Sequence, residues 1–300
     1  MAIVGAGAVA QAIGRLLFGA GVTVVAVASR TRVHAEQAAR FIGGSATGPT
    51  APSVVEVSEL PRLASHVLIA VADRGIEPVA EALAAAGMRS GAALHTCGGK
   101  GPDALKALGD GGVACGMLHP LQTIMTADQG ARSLADVTFG LAGDPRALAW
   151  GAQIVTSLHG RAIHIDPGRL SYYHAGAVMA SNALMATIDA AVVLLGEAGV
   201  DRTAALQAIA PLARTSVSNA LAHGPQSALT GPIVRGDTLT VAAHVRALRS
   251  SDPTVARLYG AAAAHLLTLA ARRGLPVDQI RALEDVIDDR SGPGRAVAGE

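Results

Sequence analysis

Aromatic side chains make up only 2% of these 300 residues, with one Trp, three Tyr and three Phe. That scarcity excludes an aromatic-rich sandwich and a base-stacking platform. Cysteine is limited to Cys97 and Cys115, too few for a disulfide framework or a thiolate metal cage and suited to two small buried side chains in a reducing cytoplasm. Neither sign of charge is in excess: the net charge is +1, so no broad basic face awaits a nucleic-acid backbone. His159 and His164 lack a third ligand, and no metal site is expected. Uninterrupted apolar runs of the ~20 residues that span a bilayer are also missing. Ala175–Gly196 is broken by Ser181, Asn182, Thr187 and Asp189, and Ala261–Ala271 is too short. The start lacks the basic region of a signal peptide. These absences predict a cytoplasmic protein with neither membrane nor nucleic-acid partner.

What is plentiful is Ala, Val and Leu: half of the chain is hydrophobic and only 16% is charged, enough for a large, closely packed core. Up to about residue 143, short β-branched runs alternate with helical stretches, the pattern of a parallel sheet covered by helices. Strands are expected at Ala2–Val4, Val22–Ala28, Ser53–Val57, Val67–Val71, Ala92–Thr96, Gly112–Leu118 and Val137–Leu141. Helices are expected at Val9–Gly19, Val33–Ile42, Ile76–Ala86 and Pro102–Leu108. Beyond residue 145 helices dominate, with one strand at Arg161–Ile165. Pro145–Leu158, a single long helix from Arg169 to Gly199, Asp201–Ala222, Thr238–Arg249, Asp252–Arg273 and Asp278–Asp288 follow in turn, most of them begun by Asp or Thr.

The first chemical signal is Gly5-Ala6-Gly7-Ala8-Val9-Ala10, a G-x-G-x-x-A sequence between a strand and a helix. Gly5 permits the tight turn, Gly7 lets the backbone approach a pyrophosphate, and Ala10 allows close helix–strand packing, so a Rossmann dinucleotide site is expected. The second strand ends in Ala28-Ser29-Arg30-Thr31-Arg32. No carboxylate is there to take ribose hydroxyls, whereas two guanidinium groups suit a 2′-phosphate, which favours NADP(H) over NAD(H). Val71, Ala72, Cys97 and Gly98, at later strand ends, should also border the cofactor. Lys100, one of only two lysines, is either a carboxylate anchor or a solvent-facing helix-start residue.

His119 closes a strand in a His-Pro turn, which stiffens its direction, and an imidazole titrating near neutral pH is a suitable proton donor. On the long helix, His174, Ser181 and Asn182 fall near one face; their polar groups meet either a substrate or neighbouring helices. In the glycine-bounded loop Leu229–Asp237, Thr230 and Arg235 are substrate candidates, although Arg235 equally suits pairing with Asp237 or capping the next helix.

The glycine loop, Ser29-Arg30-Thr31, Leu118-His119-Pro120-Leu121-Gln122, Tyr173-His174 through Ser181-Asn182, and Leu229-Thr230-Gly231-Pro232 with Arg235-Gly236-Asp237 together resemble Rossmann-like proteins carrying a DUF2520 C-terminal domain. That family lies in the 6-phosphogluconate-dehydrogenase-like group, with ketopantoate reductases, prephenate dehydrogenases and pyrroline-carboxylate reductases as distant relatives. The change of pattern divides the chain into an α/β N-terminal Rossmann domain over 1–143, a connecting helix and strand over 144–168 and an all-α C-terminal domain over 169–290, and the Gly-rich end at 291–300 reads as a flexible tail. The resemblance implies an NADP-dependent reductase with its active site between the domains, in a homodimer built through the helical domain that also serves the substrate. Prephenate dehydrogenases carry a functional His in a His-Pro motif, which by resemblance strengthens His119. Ketopantoate reductases use a Lys followed by Asn, yet no Lys occurs between residues 107 and 300, so His174 and Asn182 would have to serve. The leading expectation is hydride transfer to a small 2-oxo acid. The alternatives are reduction of an imine or ketone, and a cofactor-binding sensor or scaffold without turnover.

Overall fold

The computed structural model describes residues 1–44 and 51–288; the expected tail at 291–300 lies outside them. The chain divides into two compact units, Met1–Ser181 and Asn182–Glu300.

In chain order the first unit contains β1 (Ala2–Val4), α1 (Ala8–Gly19), β2 (Ala26–Ala28), α2 (Arg32–Gly43), β3 (Ser53–Val54), β4 (His66–Ile69), α3 (Ile76–Ala85), β5 (Ala92–His95), α4 (Lys106–Gly109), β6 (Ala114–Pro120), α5 (Ala127–Ser133), β7 (Thr138–Gly143), α6 (Pro145–Ser157), β8 (Arg161–His164) and α7 (Leu170–Ala180). The strands form one sheet in the order β3-β2-β1-β4-β5-β6-β7-β8. Six strands are parallel in the doubly wound arrangement that gathers ligands at the carboxyl ends of its strands. The parallel expectation fails at one junction: β7 runs antiparallel to β6. The connection between them carries only the short α5, which packs on α1 and is begun by Thr126, whose hydroxyl accepts from Gln129 N–H at 3.2 Å. β8 then pairs parallel to β7.

Alternation along each strand divides the core between the two sheet faces. Ile3, Val27, Leu68, Leu94 and Leu118 face α1, α2 and α6 with Phe139 and Leu141. Val4, Val67, Ile69 and Ala93 face α3 and α4 with Leu60, Leu83, Leu105 and Leu108. The segment 144–168, expected as a connector, is built into this unit, because α6 covers the sheet and β8 extends it. Asp144 stands at the N-cap of α6, but its carboxylate accepts from Cys115 N–H at 2.8 Å instead of capping the helix.

The expected single helix from Arg169 to Gly199 is two, α7 and α8 (Asn182–Glu197), broken at Ser181 with φ −125° and ψ −74°. The Ser181 hydroxyl donates to Ala177 O at 2.7 Å, the back-bonding by which Ser bends helices. The stretch Pro167–Glu197 has a mean hydropathy of 1.8 over its most apolar window, of which 6% is buried. By length and composition it is long and apolar enough to cross a membrane, which corrects the sequence reading: its polar residues interrupt the run without lowering the average enough.

The second unit is helical throughout its described residues: α8, α9 (Arg202–His223), α10 (Pro225–Ala228), α11 (Thr238–Leu248), α12 (Pro253–Arg272) and α13 (Val277–Asp288). Its core joins Ile233, Val241, Ala263, Leu267, Ala270 and Leu283. The caps expected at Asp201 and Asp252 accept from Thr203 and Thr254 N–H, and at α11 it is Asp237, one residue before the expected start, that accepts from Thr240 N–H.

Candidate active site

Gly5 leaves β1 with φ +133°, and a Cβ there would lie 2.1 Å from the Ala70 carbonyl oxygen. Only glycine lets the loop pass so close to the end of β4. Gly7 has open space where a Cβ would stand and occupies the N-cap of α1 without a side-chain cap, so the first-turn amides point outward unclaimed by a side chain. Ala10 is fully buried beneath the loop.

Above this turn opens a cavity of about 550 Å³. Gly5, Gly7, Ser29, Arg30, Val71 and Ala72 line it as expected, and His34, Glu56 and Arg74 join them. Arg30 has no ion-pair partner among the described residues. The acid at the end of β3 is engaged locally, since Glu56 and Glu59 cap the 3-10 turn that follows. A glycine turn, free helix-start amides and an unpaired guanidinium thus fit a dinucleotide carrying an extra phosphate.

Several expected contacts fall elsewhere. Ala8, Val9 and Thr31 do not line the cavity; Thr31 is the backbone N-cap of α2. Arg32 points outward to Glu36, one helical turn away, at 3.0 Å. Cys97 is buried, and burial pushes its thiol above the usual range. Lys100 forms an ion pair with Glu77, so its charge is already neutralised. That pair draws the Glu77 carboxyl below its ordinary range. His34, Arg74, Glu77 and His95 were missed, and Tyr173 stood in the Tyr173-His174 motif without a role of its own. Arg74 too left a readable signal, an Arg two residues beyond the Val71-Ala72 strand end.

A second cluster gathers at the carboxyl ends of β5 and β6. His119, the penultimate residue of β6, places Nδ1 2.8 Å from the Tyr173 hydroxyl. The ring of His174 crosses it edge-on with centroids 6.0 Å apart. Two glycines make room: a Cβ on Gly98 would sit 2.6 Å from His119 Cε1, and one on Gly99 would be 3.3 Å from His174 Nδ1. The loop carrying these glycines is held from beneath by fully buried His95, whose Nε2 lies 3.0 Å from Gly101 O. Gly98 therefore serves as the seat of His119, and it does not line the nucleotide cavity.

Burial, with the His174 ring beside it, lowers the His119 pKa to about 4. His119 is thus neutral at pH 7, which corrects the expectation that it titrates near neutrality. The linkage has a definite sign. The unfolded chain binds a proton at about pH 6.5 and the folded site at about 4, so stability falls as the solution is acidified through that window. The contribution is on the order of 2 kcal/mol, allowing for residual solvent access. Urea midpoints recorded from pH 7 to 4 should show this loss, and His119→Asn should flatten part of the curve.

Ser181 and Asn182 lie at the α7–α8 break. Thr230 and Arg235 lie in the loop before α11, where Asp237 caps the helix through Thr240, its acidity raised chiefly by these hydrogen bonds and less by Arg235. Among the described residues no cluster of three or more His, Cys, Asp or Glu could hold a metal ion.

The family described as Domain of unknown function (DUF2520) matches residues 137–266, the stretch that holds the motifs from Tyr173-His174 to Arg235-Gly236-Asp237. No curated protein matches. Among solved structures, a protein from Thermotoga maritima is 22% identical with a TM-score of 0.70, covering 91% of this chain and 98% of its own. A Bacteroides fragilis protein described as an NADP oxidoreductase is 21% identical with a TM-score of 0.68, covering 89% and 97%. A reductive aminase from Aspergillus terreus, in complex with NADPH4, cyclohexanone and allyl amine, is 18% identical with a TM-score of 0.61, covering 95% and 97%. These likenesses establish a Rossmann domain followed by a helical domain.

Proposed function

We propose that this protein is an NADPH-dependent reductase of a small C=O or C=N compound. The observation that carries this reading is the coincidence, at one edge of one sheet, of a glycine-loop cavity rimmed by unpaired Arg30 with a neutral, hydrogen-bonded His119. Gly5, Gly7 and the first turn of α1 would hold the pyrophosphate, and Ser29 with Arg30 the 2′-phosphate. NADPH would supply the hydride. His119 would orient the acceptor and hold a proton for its heteroatom.

The 2-oxo acid expected from the sequence is supported less well than a neutral ketone or imine, because the carboxylate anchor expected at Lys100 is already satisfied by Glu77. The fold shared with a reductive aminase that binds cyclohexanone and an amine favours the same side. A screen of NADPH consumption over 2-oxo acids, starting with ketopantoate, then ketones with and without amines, and cyclic imines tests the reading. Tight NADPH binding without consumption by any of these would favour a sensor or scaffold.

We also propose a homodimer. Tyr172, Met179 and Met185 are 78%, 69% and 58% exposed on the apolar α7–α8 stretch, and Leu212 on α9 is 66% exposed. Large apolar side chains left this exposed suit burial against a second copy of the chain. A Met185→Asp, Leu212→Asp double variant should halve the mass measured by light scattering, and a monomeric wild-type protein would refute the dimer.

A further inference from the structure

We infer that His95 is a positioning residue of this site: its buried imidazole holds the glycine loop 96–101 in the shape that seats His119 beside His174. That the seating serves turnover rests on the reductase reading; the hold on the loop does not.

Among the described residues His95 is the one fully buried polar side chain. A polar group in an apolar core needs a partner to offset its lost hydration. By strand alternation it shares with Ala93 the sheet face covered by α3 and α4. Its partner there is the loop it begins, since Nε2 lies 3.0 Å from Gly101 O. A carbonyl oxygen only accepts, so the proton of that bond is on Nε2. Nδ1 is then bare, and it is buried without a hydrogen-bond partner. Burial lowers the His95 pKa, in keeping with a ring that stays neutral. A leucine would occupy a similar space with no orphaned nitrogen, so what the imidazole adds over an apolar residue is the Nε2–H bond.

That bond closes the loop on itself, from the end of β5 to Gly101. Gly101 O also accepts from Ala104 N–H at 3.1 Å, at the start of the 3-10 turn Pro102–Leu105; a carbonyl has lone pairs for both. Three of the six loop residues, Gly98, Gly99 and Gly101, are glycines, which lose the most backbone freedom on ordering, so fixed contacts must impose the loop's shape. On its outer side Lys100 ties the loop to Glu77 on α3 through their ion pair.

Each glycine is a seat. A Cβ on Gly98 would be 2.6 Å from His119 Cε1, one on Gly99 3.3 Å from His174 Nδ1, and one on Gly101 3.3 Å from Leu170 Cδ1. Leu170 opens α7 and is buried. From the same helix Tyr173 reaches Gly140 on β7, where a Cβ would lie 2.3 Å from its hydroxyl. The loop thus carries His119 on one side and the first turns of α7 on the other, and its position sets the 6.0 Å between the His119 and His174 ring centroids. Fully buried, His95 acts through the loop and not on an acceptor.

Two substitutions separate the bond from the packing. His95→Leu keeps the bulk and removes the donor, whereas His95→Gln brings an amide N–H within reach of the same carbonyl. In the full-length protein, the backbone amides of 97–101 should exchange hydrogen about tenfold faster in His95→Leu, the loss of one hydrogen bond. The ring signals of His119 and His174 should move in its NMR spectrum while Tm is unchanged, and His95→Gln should restore both. With a substrate from the screen, His95→Leu should lower kcat about tenfold and leave NADPH affinity alone. Wild-type exchange and unmoved histidine signals in a folded His95→Leu variant would overturn the proposal. Nitrogen NMR of the wild-type protein requires no variant to fold: His95 is expected protonated at Nε2 and bare at Nδ1, and the reverse would overturn the proposal. A loop that loosens in a protein consuming none of the screened compounds would support the hold on the loop and sink the reductase reading alone.

Discussion

Replacing Gly5 with alanine is expected to lower Tm by about 10 °C and to abolish measurable NADPH binding. At φ +133° an L side chain is strained, and its Cβ would lie 2.1 Å from the Ala70 carbonyl oxygen. The clash is with backbone, so no rotamer relieves it. β1 and β4 are hydrogen-bonded neighbours through Val4 and Ile69; one of them must move, and with it the start of α1. Strain and displacement together should cost more than about 3 kcal/mol, which for a domain of this size corresponds to roughly the stated shift in Tm. Differential scanning calorimetry and fluorescence titration with NADPH check both halves. An alanine variant with wild-type Tm and affinity would show that the glycine turn is not the nucleotide seat.

The second large effect should come from Arg30. It lines the nucleotide cavity with no ion-pair partner among the described residues, so removing it loses phosphate hydrogen bonds without releasing a buried acid. A charge-assisted contact of this kind is worth about 1.5–3 kcal/mol, so Arg30→Ala should weaken NADPH about 10- to 150-fold. NADH affinity should be unchanged, because NADH lacks the phosphate that the guanidinium binds. Equal losses for the two cofactors would contradict a 2′-phosphate site. Arg32→Ala should leave both affinities unaltered, since Arg32 is spent on Glu36.

How far these features could be read beforehand depended on whether their cause was local. The glycine turn, β1 and the first helix were legible because each residue's task is set by its immediate neighbours in the chain. The acidic caps Asp201 and Asp252 were legible for the same reason. Arg32 was misassigned even though Glu36, four residues on, gave the i,i+4 signal of a surface pair. The helix break at Ser181 was hidden because Ser181 is neither Gly nor Pro, the residues that ordinarily mark a break; its hydroxyl donates to Ala177 O. Lys100 stood out as a rare lysine, but its partner Glu77 lies 23 residues earlier, and only the packing of α3 beside β5 joins them. The same holds for His119: the His-Pro turn marked it, whereas Tyr173, 54 residues later, meets it only because β7 presents Gly140 between them. The reversal of β7 that makes this possible left no trace in the alternation of apolar residues.

Hydride transfer from NADPH to the acceptor carbon is the event that defines a reductase. NADPH deuterated at the reactive ring carbon, incubated with the protein and whichever ketone, imine or 2-oxo acid it consumes, should place one deuterium on the former carbonyl or imine carbon of the product, seen as a gain of one mass unit. Oxidation of NADPH with no deuterium in the product, or no oxidation with any of the three classes despite tight binding, would contradict it.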